Sequence, residues 1–302
     1  MSRSRSIARW IPATVLAVAL ATCWGLLFSG GMRAVVAWLL LMTLGWTVGP
    51  LAVLVLLVHA VRRRRFSLPM AFTAILSIFA LWPGLWEFGL LCITFPASRE
   101  TTRPSATVRL PANGPIRVVW GGDSIDVNRH AETPDQRWAY DLTVEPAMNR
   151  SSRLEDYGCY GKSVVAPLSA RVHYAVDGEP DETPGKLSRN IKNPAGNAVV
   201  FALESGTYLI VAHLKPGSVL VHAGDWVEEG EPIGQCGNSG NTSEPHIHIH
   251  HQRQDPKGRP INFAEGLPLY FRNQDGPAMP QGGVEVRDHK IFLVGAIVTN
   301  LE

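Results

Sequence analysis

Acidic residues are nearly missing from the first 95 positions of this 302-residue chain, where Glu87 alone carries a carboxylate. What fills that stretch is apolar, so it does not read as a water-facing domain. Charge of one sign is lacking overall: the formal net charge is +2, which gives no reason to expect nucleic acid as a partner. Cysteine is scarce, with four residues and no C-x-x-C pair, so a cysteine-built zinc site is a poor reading. Beyond about residue 95, long amphipathic helical periods are missing as well, which argues against a helical bundle there. The chain therefore divides into an apolar part and a polar part with different folds.

Three apolar runs in the first part are long enough to cross a bilayer, which takes about 20 helical residues. They extend from Ile11 to Ser29, from Ala34 to Val61 and from Leu68 to about Cys92. A cleaved signal peptide is the rival reading of the first run, but no convincing small-x-small site follows it. Arg3, Arg5 and Arg9 precede the first run, and Arg62, Arg63, Arg64 and Arg65 separate the second from the third. Between two spans such an arginine run is a topology signal rather than a nucleic-acid patch, and both clusters belong on the cytoplasmic side. An odd number of spans then delivers everything after Phe95 to the outer side. Pro83 and Gly84, between Trp82 and Trp86, mark an interface or a kink, and His59 reads as interfacial.

The second part divides into a Pro- and Ser-rich linker over residues 96–114 and a domain over 115–302, after a membrane region over 1–95. Short β-branched pieces recur in the domain: Ile116 to Trp120, Trp138 to Leu142, Ser163 to Ala166, Ala170 to Val176, Ala198 to Leu203 and Tyr208 to His213. With Gly, Pro and Asp turns between them they predict an all-β, mainly antiparallel fold, and the tail from Gly282 adds one or two strands. Cys23 and Cys92 fall in the apolar runs as small apolar residues. An oxidising compartment would permit a disulfide between Cys159 and Cys236, but their spacing does not establish proximity. The segment Val221 to Gly234 resembles the hammerhead turn of lipoyl and biotinyl carriers. A carrier needs a modifiable lysine, and none lies between Lys215 and Lys257.

The most informative stretch is Gly237 to His250, where a Gly/Asn/Ser turn runs through Pro245 into histidine alternating with isoleucine. In a strand, the period of two sends His246, His248 and His250 to one face and Ile247 and Ile249 to the other. Imidazole is the commonest protein ligand for zinc, and two on one strand face can meet a single ion.

Taken with Val165-Ala166-Pro167, Ala212-His213-Leu214 and an earlier His and Asp, this stretch resembles the lysostaphin-like (LytM-type) zinc metallopeptidases, which cut peptides of bacterial peptidoglycan. The resemblance spans roughly residues 116–265. It implies one Zn2+ held by His130, Asp141 and His248, with His213 and His246 as the catalytic pair. The family spacing H-x-x-x-D is departed from, because an insertion with Thr133, Pro134 and Asp135 separates His130 from Asp141. His173 and Asp177 match that spacing but follow the Val-Ala-Pro strand, so they read as surface groups. His250 is expected beside the site or at the surface rather than as a ligand, His222 as exposed and Asn128 as structural. Arg137 and Tyr140 are either substrate contacts or strand residues.

The apolar runs, the arginine clusters and the resemblance together imply a metallopeptidase domain behind three membrane-spanning helices, in the bacterial inner (cytoplasmic) membrane, with the domain on the outer, periplasmic side. Peptidoglycan peptides are the expected substrate, and three spans exceed what tethering needs, leaving room for a membrane-protein partner. The rival readings are a non-catalytic homologue that regulates cell-wall hydrolases and a metallopeptidase with a protein substrate.

Overall fold

A computed structural model of the chain describes residues 7–63, 67–260 and 262–301. Arg3, Arg5, Arg64 and Arg65, used above for orientation, lie outside the described residues. The chain forms two compact units, Met1–Ala97 and Ser98–Glu302.

The first unit is helical, with α-helices at Ile11–Leu27, Gly31–Trp46, Val48–Arg63 and Leu68–Leu81. The runs Gly31–Arg62 (32 residues) and Leu68–Phe88 (21 residues) are long and apolar enough to cross a membrane. Ile11–Leu27 is equally apolar but has 17 residues. Pro83 and Gly84 fall in a 3-10 segment, Trp82–Phe88, that ends the last helix. Glycine is required there: a Cβ on Gly45 would lie 2.4 Å from the Gly84 nitrogen, so the two backbones touch. Leu27, Leu41, Trp38 and Trp86 pack inside, while Val15 and Ile75 remain 63% and 65% exposed. Such wholly apolar exposed faces are poorly matched to water.

The second unit is β throughout, apart from 3-10 turns. Its strands are β1 (Ala106–Val108), β2 (Ile116–Trp120), β3 (Tyr140–Thr143), β4 (Ser163–Val165) and β5 (Ala170–Val176). Next come β6 (Asn197–Ala202), β7 (Tyr208–Leu214), β8 (Trp226–Val227), β9 (Pro232–Gln235) and β10 (Ile247–Gln252). β11 (Gly266–Leu267), β12 (Leu269–Phe271), β13 (Val284–Arg287), β14 (Lys290–Leu293) and β15 (Ile297–Val298) complete it. A nine-stranded sheet runs β15-β2-β3-β10-β7-β6-β5-β8, with β11 also on β10. All its pairings are antiparallel. β1 pairs with β12 in parallel, and Leu110 is fully buried, so much of the expected linker 96–114 is folded into the β unit. A strand that pairs and a side chain that packs make that stretch part of the domain.

Both faces of the central sheet are covered, and this explains why β6 and β7 read as continuous apolar runs. Val199, Phe201, Leu209, Val211, Ile247 and Ile249 enter the main core, where β4–β9 and β1–β12 close over them. Their alternates Ala198, Val200, Ile210 and Ala212 form a smaller cluster on the opposite face. Each fully buried Val, Ile or Leu contributes about 1.5–3 kcal/mol, enough to fix the strand register. Cys159 and Cys236 form a disulfide with Cα atoms 5.8 Å apart. It secures the chain directly ahead of the Gly/Asn/Ser turn.

Candidate metal centre

The isoleucine side of β10 is anchored in the core, so its other side is committed to polar residues. His248 and His250 lie there, buried, and His248 faces Asp141 of β3 and Ala212 of β7. The strand begins at Ile247 rather than at Pro245, so His246 stands just ahead of it. Pro245 has no N–H to donate to a ladder, which is why pairing starts later.

The turn before β10 is held by its own side chains. Asn238 and Ser239 are fully buried: Asn238 Nδ2 donates to Glu182 O at 2.8 Å, and Ser239 Oγ donates to Leu214 O at 2.7 Å. Gly240 has φ +88°, and a Cβ there would meet Gly196 N and Pro194 O at 2.5 Å. Only glycine satisfies both conditions. The turn's carbonyls then orient two imidazoles. His213 Nδ1 lies 2.8 Å from Ser239 O, and His246 Nδ1 lies 2.8 Å from Glu244 O. A carbonyl only accepts, so both Nδ1 atoms carry protons, and in the neutral rings both Nε2 atoms are bare.

His213 itself sits in the left-handed region at φ +63°. Its N–H donates to Ala195 O at 3.0 Å and its carbonyl accepts from Gly237 N at 3.1 Å, so the surroundings impose the conformation.

His130 arrives on the 3-10 turn Arg129–Glu132. Asn128, with no exposed surface, organises that turn: its Oδ1 accepts from His130 N at 3.1 Å, and its Nδ2 donates to Gly122 O at 3.0 Å and Ala139 O at 3.1 Å. The inserted loop thus folds back, and both proposed ligands from before residue 150 reach β10. His130 Nε2 lies 2.9 Å from Asp141 Oδ2, and His248 Nδ1 lies 2.8 Å from Asp141 Oδ1. His246 Nε2 is 3.4 Å from the same Oδ1.

Two candidate metal-holding groups result among the described residues, His130–Asp141–His248 and His213–His246–His248, each with its ligand atoms within 4.8 Å of one another. The donor set of the first, two imidazole nitrogens and one carboxylate, is that of a catalytic zinc site with a position left open. His130 Nε2 is also buried and makes no hydrogen bond, despite its closeness to Asp141. An orphaned nitrogen beside a carboxylate and a second imidazole fits a cation.

Electrostatics separate the histidines. Burial opposes charge on Asp141, but His130 and His246 outweigh it and hold the carboxyl well below the usual carboxylate range. Burial and the neighbouring His246 and His248 push His213 well below the ordinary imidazole value. For His246 burial is again the largest influence, yet Asp141 and the Glu244 carbonyl reverse it and raise the value.

The other residues sort clearly. His173 Nε2 pairs with Asp255 at 3.0 Å, and Asp177 accepts from Gly178 N and Gly217 N, so these two do not join the cluster. The His222 side chain is 86% exposed. Arg137 and Tyr140 are buried, Arg137 against Asp123 and the Trp138 ring, which makes them structural. A residue not singled out above, Gln252, continues the polar side of β10. His248 Nε2 lies 2.9 Å from His250 Nδ1, and His250 Nε2 lies 3.1 Å from Gln252 Oε1. The signal was visible as the next step of the same alternation. His251, on the opposite side, contacts Thr207 Oγ1 at 2.7 Å inside the core.

Residues 156–263 match the family described as Peptidase family M23. A comparison with curated proteins finds no match. Among solved structures the chain is similar to a mutant catalytic domain of the prophage-encoded M23 protein EnpA from Enterococcus faecalis. There the identity is 15% and the TM-score 0.32, over 53% of this chain and 93% of that one. It is also similar to the catalytic domain of lysostaphin from Staphylococcus simulans, at 17% identity and TM-score 0.29, over 50% of this chain and 86% of that one. A zinc containing peptidase from Vibrio cholerae matches at 19% identity and TM-score 0.33, over 55% of this chain and 41% of that longer one. The match to family M23 lies within the β unit, and His130 and Asp141 precede the matched residues.

Proposed function

We propose that the chain is a membrane-anchored zinc endopeptidase acting on stem or cross-bridge peptides of bacterial peptidoglycan. One observation carries the reading: five side chains from four separate segments, His130, Asp141, His213, His246 and His248, form two clusters of potential ligands that share His248. His130, Asp141 and His248 are the residues to hold one Zn2+. Bound there, zinc supplies Lewis-acid polarisation and a water acidified towards neutral pH. His246, whose proton affinity Asp141 raises, takes a proton from the attacking water at Nε2. His213 presents its own bare Nε2 from a fixed ring. Because burial makes it a weak base, a proton that reaches it from solvent is readily passed on to the leaving amine. Two helical runs long and apolar enough to cross a membrane, Gly31–Arg62 and Leu68–Phe88, support anchoring; with Ile11–Leu27 read as a third span, the clustered arginines stay inside and the β unit lies outside.

The test is zinc content and release of soluble fragments from sacculi by the purified full chain in detergent, beside His248→Ala. Expected are one zinc per wild-type chain and fragment release, with both lost in the variant. Zinc-free wild type, or undiminished release by the variant, overturns the proposal. Zinc binding without release from sacculi would instead point to a protein substrate or a regulatory role.

A further inference from the structure

We infer that His250 and Gln252 are positioning residues that fix His248 in the tautomer bearing its proton on Nε2, leaving Nδ1 bare towards Asp141 and His130. The inference deepens the zinc reading and rests on it only for its purpose. The chain of hydrogen bonds along the polar side of β10 can be polarised from its far end. Gln252 Nε2 lies 2.6 Å from Gln254 O, which is a carbonyl and can only accept. That end of the amide is therefore the NH2 group, and Oε1 is the atom turned to His250 Nε2 at 3.1 Å. An amide oxygen accepts, so His250 Nε2 is the N–H. His250 is buried with an imidazole on one side and an amide on the other, and no carboxylate touches it; such a ring carries a single proton. Its Nδ1 is then an acceptor, and among the described residues its donor is His248 Nε2–H at 2.9 Å.

The result matters at the other edge of the ring. Left alone, His248 would place its proton on Nδ1 and donate it to Asp141 Oδ1, 2.8 Å away, closing an ordinary hydrogen bond across the site. With the proton drawn to Nε2, two acceptors face each other at that distance. The arrangement is unfavourable until a cation joins them, and His130 Nε2, also without a hydrogen bond, completes the set. Two residues remote from the chemistry thus keep the ligand nitrogen from being capped by a proton, the task that outer partners of ligating imidazoles perform.

The experiment uses the full chain in detergent with 15N-labelled histidine, stripped by chelator. Long-range proton–nitrogen correlation reads which nitrogen of His248 is protonated, with His248→Gln to assign its signals. Expected is Nε2–H in the wild type; Nδ1–H overturns the inference, whether or not any variant folds. In parallel, Zn2+ affinity is measured by chelator competition. Gln252→Leu removes the acceptor and should bind Zn2+ about 10- to 100-fold more weakly. Equal affinity for Gln252→Leu and wild type also overturns the inference. Wild type that binds no Zn2+ while His248 shows Nε2–H would sink the metal reading and leave the tautomer assignment standing.

Discussion

His213, His246 and His248 lie within the M23-matched segment, on β7, on β10 and in the turn ahead of it, and backbone carbonyls aim two of the three rings. His130 and Asp141 come from before that segment, and they reach the site differently. Asp141 is carried by a strand pairing and His130 by a loop that a single buried amide ties down. One half of the site is thus built into the sheet and its turns, and the other half is delivered to it. The proposed division of labour follows the same line, with two of three metal ligands in the delivered half and both proton-handling imidazoles in the built-in half. The comparison teaches that metal retention and proton transfer can be broken separately.

The largest effect is expected from Asp141→Ala, which removes the carboxylate shared by three imidazoles. Zinc content should fall to background and hydrolysis with it, read by elemental analysis and fragment release. His246→Gln should instead keep stoichiometric zinc while kcat falls about 10^2- to 10^4-fold, the usual worth of a positioned general base. Zinc loss in this variant would erase the proposed boundary between the halves.

Asp135, in the delivered loop, sharpens the contrast through pH. It is buried, and desolvation, partly offset by backbone donors, lifts its carboxyl to about 6. Its folded value thus lies above the unfolded one of about 3.9, so its proton favours the folded state. That contribution is complete below pH 4 and is lost as pH rises through 6. In the presence of chelator, Asp135→Asn should therefore exceed wild type in stability by about 3 kcal/mol at pH 8, the gap closing near pH 4. Denaturant midpoints at the two pH values check it. Asn128→Ala should cost about 1–3 kcal/mol for the His130 N–H and the two carbonyls it orphans, and weaken zinc binding. Its hydrolysis at saturating zinc should stay close to wild type, in contrast to His246→Gln.

Much of this was legible in the sequence because buried sheets leave strong local traces. Ile116–Trp120 and Ala170–Val176 were readable end to end, and the Ile247/Ile249 alternation identified the core side of β10. The starts of β3 and β10 shifted by two residues, since strand ends depend on pairing partners rather than on propensity. The burial of Asn128 and the role of 98–114 were not readable, because each depends on contacts with distant segments. The Cys159–Cys236 bridge stayed open for the same reason: 77 positions separate the two residues, and only the pairing of β4 with β9 brings their ends together. The site residues themselves were named through family resemblance; chemistry alone left open which histidines would share an ion.

The pairing of β3 with β10 has a consequence in time rather than in space. Asp141 and His248 stand 107 positions apart, so their meeting is a long-range closure, and contacts of that kind are expensive to form early in folding. A binding site split across that seam does not exist until the seam has closed. An ion captured there binds only the finished sheet, and at 100 times its dissociation constant it would stabilise that state by about 2.7 kcal/mol. The metal centre would then act as a latch on assembly, rewarding the last strand to dock and leaving unfinished chains unlatched.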